Sequence, residues 1–291
     1  MALNLAISGA PSRDRVERRL VLAIARKELR DAVRNRWFWL YAGGFTALAS
    51  ALVLAALPGA QIVGSEGFGR TAASLVGLAQ LVIPLLGLLL GAQTVATQHE
   101  RGTLRFLLSH PVSRTEVFWG LYVGQSLAMF AVVAGGFGAA ALLSAGRGVA
   151  TDPSLLATMV GLSWLLSLIA VGIGMFIGAA SRRAGAAVGT ALVVWFALVF
   201  LGDLGIMGTA VATRLPVGVL FFAALANPVE AFRLLAVAAF RGSFDVLGPA
   251  GSYAVDALNG RVAGLALAVL AAWVLAPAAL GWWRFRTALD L

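Results

Sequence analysis

The sequence predicts an all-α integral membrane protein with six transmembrane helices. Of its 291 residues, 60% are hydrophobic and only 12% are charged, about half the charged fraction that is usual in soluble domains. A water-soluble fold of this size has too little polar surface to cover so many apolar side chains. The apolar residues also fall into runs of roughly 20 residues or more, the length that crosses about 30 Å of hydrocarbon.

Six apolar runs are long enough to span a membrane, and they cover residues 37–57, 71–95, 117–143, 155–180, 185–207 and 262–283. A seventh run, residues 217–226, is too short to span, so we expect it to lie at an interface or to re-enter. The hydrophilic stretch before the first run is too long for the start of a cleaved signal peptide. We therefore divide the chain into a basic interfacial segment, residues 1–36, and a transmembrane domain, residues 37–291.

Arginine and lysine are unevenly distributed between the two sides of this six-span arrangement. One side holds residues 1–36, 96–116, 181–184 and 284–291, with sixteen Arg and Lys residues against seven acids. The other side holds six of each. Because cytoplasmic loops are enriched in Arg and Lys, we expect both termini to be cytoplasmic, in a bacterial inner membrane. The net charge of +9 then reflects topology and phospholipid headgroups, and nucleic acid is not an expected partner.

The N-terminal segment and the glycines predict particular helices and contacts. Residues 14–36 are rich in arginine, and their apolar residues recur at helical spacing, which is typical of a helix in the headgroup plane; these apolar residues are Leu22, Ala25, Leu29, Ala32 and Val33. Gly120 and Gly124, like the glycines within 172–178, have the spacing of small residues that lets helices pack closely.

The stretch HERGTLRFLLSHPVSR, residues 99–114, is the most polar element between two apolar runs. Leu104, Leu107 and Leu108 recur at the spacing of one helix face, and Pro111 ends the helix because it disfavours helical geometry at the residue before it. The following residues, Ser113 to Glu116, have the pattern of a capping box. This predicts a short amphipathic helix and then a rigid start of the third span. The alternative is a helix that only rests on lipid.

The same stretch resembles the cytoplasmic motif of ABC type-2 permeases, E-x-G-T-L followed by L-L-x-x-P-x-x-R. The matching residues are Glu100, Gly102, Thr103, Leu104, Leu107, Leu108, Pro111 and Arg114. The resemblance implies a type V exporter-like permease half in which residues 99–111, with Arg101, form a coupling helix that docks on an ATPase. In that family a second coupling element lies between spans four and five, where this chain has Arg182 and Arg183.

Two further stretches resemble NosY-type permeases, which serve assembly of the copper centres of nitrous oxide reductase. Residues 25–37, ARKELRDAVRNRW, resemble their N-terminal helix, and residues 227–234, NPVEAFRL, resemble their external loop. Within the external segment 208–261, Asn227 has the pattern of a helix cap followed by a proline. This helix either packs on the spans or is a platform for a periplasmic accessory protein, contacted through Asn227, Glu230, Phe232 and Arg233.

The resemblance also implies partners and an activity. Two copies of this chain would pair in the lipid bilayer with two copies of a separate ATPase and export a substrate. The chain contains no G-x-x-x-x-G-K-[ST] motif, so ATP and magnesium are expected on the partner; no cofactor, metal or catalytic residue is expected here. Two alternatives stay open: a generic exporter of lipid, drug or ion, and a proton-coupled carrier. A carrier needs ionisable groups inside the membrane, and Asp203 is the only acid in a predicted span.

Overall fold

The computed structural model describes residues 17–63, 65–103, 112–148, 152–201, 217–241 and 261–288. Across these ranges there are only helices and connecting turns, which confirms the predicted fold class. The helices are α1 Arg18–Arg34, α2 Arg36–Val63, α3 Ser65–Glu100, α4 Arg114–Gly146, α5 Pro153–Ala180, α6 Ala184–Phe196, α7 Val217–Ala226, α8 Pro228–Arg241 and α9 Val262–Ala288, and a π-helix, Ala197–Leu201, continues α6.

Five helices of the described ranges, α2 to α5 and α9, are long and apolar enough to cross a membrane. They match predicted spans one to four and six, with ends within six residues of the predicted ones. The fifth predicted span corresponds to α6, which has 13 residues and continues into a five-residue π-helix. At 1.5 Å per residue this segment is about 27 Å long. Residues 202–207, including Asp203, lie outside the described ranges, so the count of six spans stays a prediction.

Helices α3 and α5 form the closest helix pair of the bundle. A Cβ atom on Gly91 would lie 2.5 Å from the carbonyl oxygen of Val171, and one on Gly178 would lie 2.7 Å from that of Ala92. Residue numbers rise together along the contact, so the two helices run in the same direction. Small residues permit this backbone approach, and the predicted close packing around residues 172–178 is confirmed.

Helix α1 packs along the first half of α4, where two glycines of α4 leave room for its side chains. A Cβ on Gly120 would lie 2.6 Å from the Cβ of Ile24, and one on Gly124 would lie 2.6 Å from the Cβ of Glu28. The predicted N-terminal helix is therefore present. Of its predicted apolar residues, Ala25 is buried and Leu29 and Ala32 pack against the core, whereas Leu22 and Val33 are exposed, because the contact follows the glycines of α4 rather than the largest side chains of α1.

Helices α7 and α8 are joined by one residue, Asn227, and are packed into the bundle. The predicted cap is present: the side-chain oxygen of Asn227 accepts a hydrogen bond from the backbone N–H of Val229 at 2.9 Å. Phe221 of α7 is buried in a cluster with residues of α5 and α9, and Phe232 of α8 is buried in the main core. Of the two predicted arrangements, packing on the spans is therefore present.

Tryptophan side chains connect neighbouring helices through their indole N–H groups. A buried indole N–H needs an acceptor, since an unmet donor in an apolar environment is costly. Three indoles donate to a backbone carbonyl of another helix at 2.9–3.0 Å: Trp164 to Ser126, Trp195 to Leu81, and Trp273 to Ala226.

Candidate functional site

The segments that the charge distribution places on one side do meet at one end of the bundle. The N–H of Glu17 donates to the Glu116 carboxylate at 2.7 Å, which joins α1 to α4. The guanidinium of Arg114 donates to the backbone oxygen of Arg286 at 2.6 Å, which joins α4 to α9. We call the described residues 17–36, 96–103, 112–116, 181–184 and 284–288 the charged end. That this end is cytoplasmic stays a prediction.

The start of α4 is fixed by the predicted capping box. The Ser113 hydroxyl accepts the Glu116 N–H at 3.2 Å, and the Glu116 carboxylate accepts the Ser113 N–H at 2.8 Å. The other oxygen of the Glu116 carboxylate accepts the Glu17 N–H, so a single buried carboxylate orders the beginnings of both α4 and α1. The predicted capping box is confirmed.

Arg114 also belongs to a packed corner between α4 and α9. The Trp282 indole donates to the Thr115 hydroxyl at 3.2 Å, and the Arg286 guanidinium lies 4.8 Å from the centre of the Trp282 ring. Such a cation over an aromatic face is attractive. Arg114 therefore holds the end of α9, a structural role that the family motif alone does not show.

The end of α3 corrects one predicted boundary. We expected a separate coupling helix from residue 99, but α3 continues through Glu100. The N–H of Gly102 then bonds to His99 O at 3.1 Å, with φ at +69°, a conformation that favours glycine and ends helices. Residues 99 and 100 therefore belong to α3 and not to a separate helix. The predicted coupling-helix residues Leu104, Leu107, Leu108 and Pro111 lie outside the described residues, and Arg101 and Thr103 are exposed just before them.

The end of α3 lies next to the start of α6. The Glu100 carboxylate accepts a hydrogen bond from the N–H of Ala184, the first residue of α6, at 2.9 Å. Arg182 and Arg183 precede Ala184 and are exposed. The sequence does not reveal this contact, because the two partners are 84 residues apart.

A buried polar cluster holds α1 against α3 and α4. The Glu28 carboxylate accepts hydrogen bonds from the amides of Gln98 at 3.5 Å and Gln125 at 3.4 Å, and it pairs with Lys27 at 3.0 Å. Partial burial disfavours the charge of Lys27, but hydrogen bonds and attraction from Glu28 and Asp31 outweigh this and raise the pKa of the ammonium above 10.5. The sequence analysis missed this cluster, which turns a basic helix into a fixed part of the bundle.

The outer face of α1 is cationic. Its exposed cations are Arg18, Arg19, Arg26, Lys27, Arg30 and Arg34, and Arg36 follows at the start of α2. With its inner face fixed on α4, this helix presents a positive surface at the charged end.

The residues predicted to contact an external partner are largely inside the bundle. Phe232 is fully buried and Glu230 is 5% exposed, and the Glu230 carboxylate bonds to the Gln80 amide of α3 at 3.4 Å. The expectation that these two side chains face a partner is therefore wrong. The Arg233 guanidinium, 3.4 Å from Glu230, keeps 41% exposure, and Asn227 is half-buried. Glu230 is an acid within the helical bundle that sequence analysis placed outside it.

An apolar cavity of about 480 Å³ opens between α5, α6 and α9. The described residues that line it are all apolar. The lining residues are Ile173, Phe176, Val194, Leu198, Ala272, Trp273, Ala276, Pro277 and Leu280.

Comparisons with known proteins agree with this architecture. The profile of the ABC-2 family transporter proteins matches residues 22–288. The chain is 31% identical over 231 residues to a probable ABC transporter permease protein NosY of Stutzerimonas stutzeri, covering 77% of this chain and 84% of that protein. It is 30% identical over 227 residues to the protein of the same name from Pseudomonas aeruginosa, covering 76% and 82% respectively.

Proposed function

The chain belongs to the ABC-2 family of transporter proteins as a multi-pass permease, and from this premise we propose that a separate ATPase docks on its charged end and drives export of a substrate. The observation that supports this most directly is the hydrogen bond from Ala184 to Glu100. It brings the segment after α3 and the exposed Arg182–Arg183 turn to one place, where a single partner surface can contact both.

The ATPase must be another polypeptide in this proposal, because the sequence has no phosphate-binding loop. One ATPase would bind beneath each of two copies of this chain, related by a two-fold axis, in the bacterial inner membrane. ATP and magnesium would be bound by the ATPase. ATP binding would favour one arrangement of the permease over another through the difference in affinity between them.

Docking is tested by co-purifying the ATPase with charged variants of the expected coupling helix. Burial of one leucine stabilises a contact by roughly 1.5–3 kcal/mol, so Leu104→Asp or Leu107→Asp should weaken ATPase binding more than about tenfold. Arg101→Ala is the matched control, since an exposed charge contributes about 0–1 kcal/mol. If the aspartate variants fold and retain the ATPase as the parent does, the segment does not dock.

We propose further that the transported material serves maturation of the copper centre of nitrous oxide reductase, together with a periplasmic accessory protein. The similarity to two NosY proteins supports this assignment. A strain that lacks this chain should make nitrous oxide reductase with depleted copper, and a plasmid copy should restore the metal. Full copper occupancy in the deletion strain would instead favour a generic exporter.

A further inference from the structure

Helix α6 and its π-helical continuation are held at both ends by polar side chains from distant parts of the chain. At the beginning, the Glu100 carboxylate accepts the Ala184 N–H at 2.9 Å. Near the other end, the side-chain amide of Asn227 donates to the backbone oxygen of Leu198 at 2.7 Å. The two anchored residues are about 20 Å apart along the helix axis. This element therefore links the charged end to the helix pair α7 and α8.

The contact at the beginning of α6 replaces a local helix cap. Arg183 occupies the cap position and makes no capping hydrogen bond with its side chain. The first N–H groups of a helix have no partner within it, and a carboxylate is favoured there by the helix dipole. Glu100 supplies that carboxylate from the last turn of α3, immediately before the turn at Gly102. Any displacement of the segment after Gly102 thus acts on the residue that holds α6.

The contact near the other end of α6 fixes the start of α8. Asn227 uses its two side-chain atoms on two helices: the amide nitrogen bonds to Leu198 and the oxygen caps α8 through Val229. Leu198 lies in the π-helix Ala197–Leu201. Short π-helices interrupt regular α-helices and are often found at functional sites. A shift of α6 along its axis is therefore carried directly to the first turn of α8, which bears Glu230.

The first turns of α6 contact the bundle through small side chains. Ala187 and Ala191 are the buried residues of α6, and they pack in a cluster with Ala92 and Ala96 of α3. Farther along α6, the Trp195 indole donates to the backbone oxygen of Leu81 of α3 at 2.9 Å, so a displacement of α6 either carries this part of α3 with it or breaks that hydrogen bond. Sliding of packed helices is an established type of domain motion.

We propose that α6 is a strut that transmits displacement of the end of α3 to the helix pair α7 and α8, with Glu100 and Asn227 as the positioning residues at its ends. The inference deepens the proposed function, because a docked ATPase would supply the displacement. The mechanical link itself is a property of this chain alone.

The link is tested with a cysteine placed beneath α8 in the purified full-length chain. The sequence contains no cysteine, and Ala236 of α8 is 1% exposed in the main core. The rate at which Ala236→Cys reacts with N-ethylmaleimide therefore reports how often α8 leaves the bundle. Glu100→Ala should raise this rate by about threefold or more. Glu17→Ala removes another exposed acid, whose side chain makes no capping hydrogen bond, and it should leave the rate unchanged.

Two further variants separate a strut from a simple helix cap. Arg183→Asp gives α6 an N-cap of its own but no link to α3. When it is combined with Glu100→Ala, the rate at which Ala236→Cys reacts should therefore stay elevated. Asn227→Ser keeps an acceptor that can cap α8 but is too short to reach Leu198. Asn227→Ser should raise the labelling rate as Glu100→Ala does. The Glu100→Ala/Asn227→Ser double variant should react little faster than either single variant, because both substitutions interrupt the same connection.

Three results would overturn the proposal: an unchanged rate in Glu100→Ala, a rate restored to the parent value by Arg183→Asp, or rate increases that multiply in the double variant. Substitutions at independent, distant sites have additive effects on the free energy of opening, so their effects on the labelling rate would multiply. Each comparison requires variants that elute as monodisperse protein. Because no ATPase is present, these outcomes do not depend on whether the Leu104 and Leu107 variants lose ATPase binding.

Discussion

Replacement of Gly91 by alanine is expected to force α3 and α5 apart. The new Cβ would lie 2.5 Å from the carbonyl oxygen of Val171 and 2.9 Å from the backbone nitrogen of Met175. Carbon and oxygen atoms in contact are ordinarily about 3.3–3.6 Å apart. Both obstructing atoms belong to the backbone, so no side-chain rotation relieves the overlap, and the helices must separate by about 1 Å.

The destabilisation by Gly91→Ala is measured against a matched glycine on α5. Overpacking of a close contact costs about 1–3 kcal/mol, while any glycine-to-alanine change within a helix gains about 1 kcal/mol in helix propensity. Gly161 lies on α5 with no atom within 4 Å of a Cβ built there, so Gly161→Ala receives the gain without the cost. The difference between the two variants isolates the packing cost.

The measurement is the temperature at which half of the detergent-solubilised protein stops eluting as a monodisperse peak. A cost of 1 kcal/mol corresponds to about 2–4 °C in proteins of 150–250 residues, so Gly91→Ala should melt at least about 2 °C below Gly161→Ala. Equal midpoints would refute the reasoning, since the backbone contact between α3 and α5 would then make no difference to stability.

Three other perturbations have defined outcomes by the same heating assay. Ser113→Ala removes the acceptor for the Glu116 N–H and should destabilise the protein by about 0.5–2 kcal/mol; an unchanged midpoint would mean that the capping box is dispensable. Glu230→Ala deprives the buried Gln80 amide of an acceptor, which costs about 1–3 kcal/mol, and Glu230→Gln, which keeps an oxygen, should be milder; the reverse order would contradict the role of that hydrogen bond. Hydrogen bonds from the side chain and backbone of Ser154 lower the pKa of the Asp152 carboxyl below its ordinary 3.8. The ionised cap therefore stabilises α5 above pH 3.8, and this stabilisation is lost as the pH falls through the folded-state pKa. Asp152→Asn should therefore make the midpoint less sensitive to acid below about pH 4, and an identical acid profile would show that the cap contributes nothing.

Features that depend on neighbouring residues could be predicted from the sequence. The capping box needs only Ser113 and Glu116, three residues apart, and the cap of α8 needs only Asn227 and the residues after it. Both are present in the structure. Five of the six predicted spans follow equally well, because their length and composition are set by the thickness of the hydrocarbon.

Contacts between distant segments could not be predicted in this way. From the sequence, the helix that bears Glu230 and Arg233 could either pack on the spans or form a platform for a partner. Only the packing of α8 against α3, α5 and α9 shows that Glu230 is buried. The bond between Glu100 and Ala184 is similarly hidden, since a carboxylate at the end of one helix carries no information about which other helix it caps. The glycines of α4 indicated close packing but did not identify α1 as the partner.

The indole hydrogen bonds between helices have a consequence for spectroscopy. Indole emission responds to the loss of a hydrogen bond and to the polarity around the ring. Trp164 therefore monitors the separation of α4 from α5, Trp195 that of α3 from α6, and Trp273 that of α7 from α9. Versions of the chain that retain one of these tryptophans would reveal the order in which the three interfaces open, with intrinsic fluorescence as the only signal.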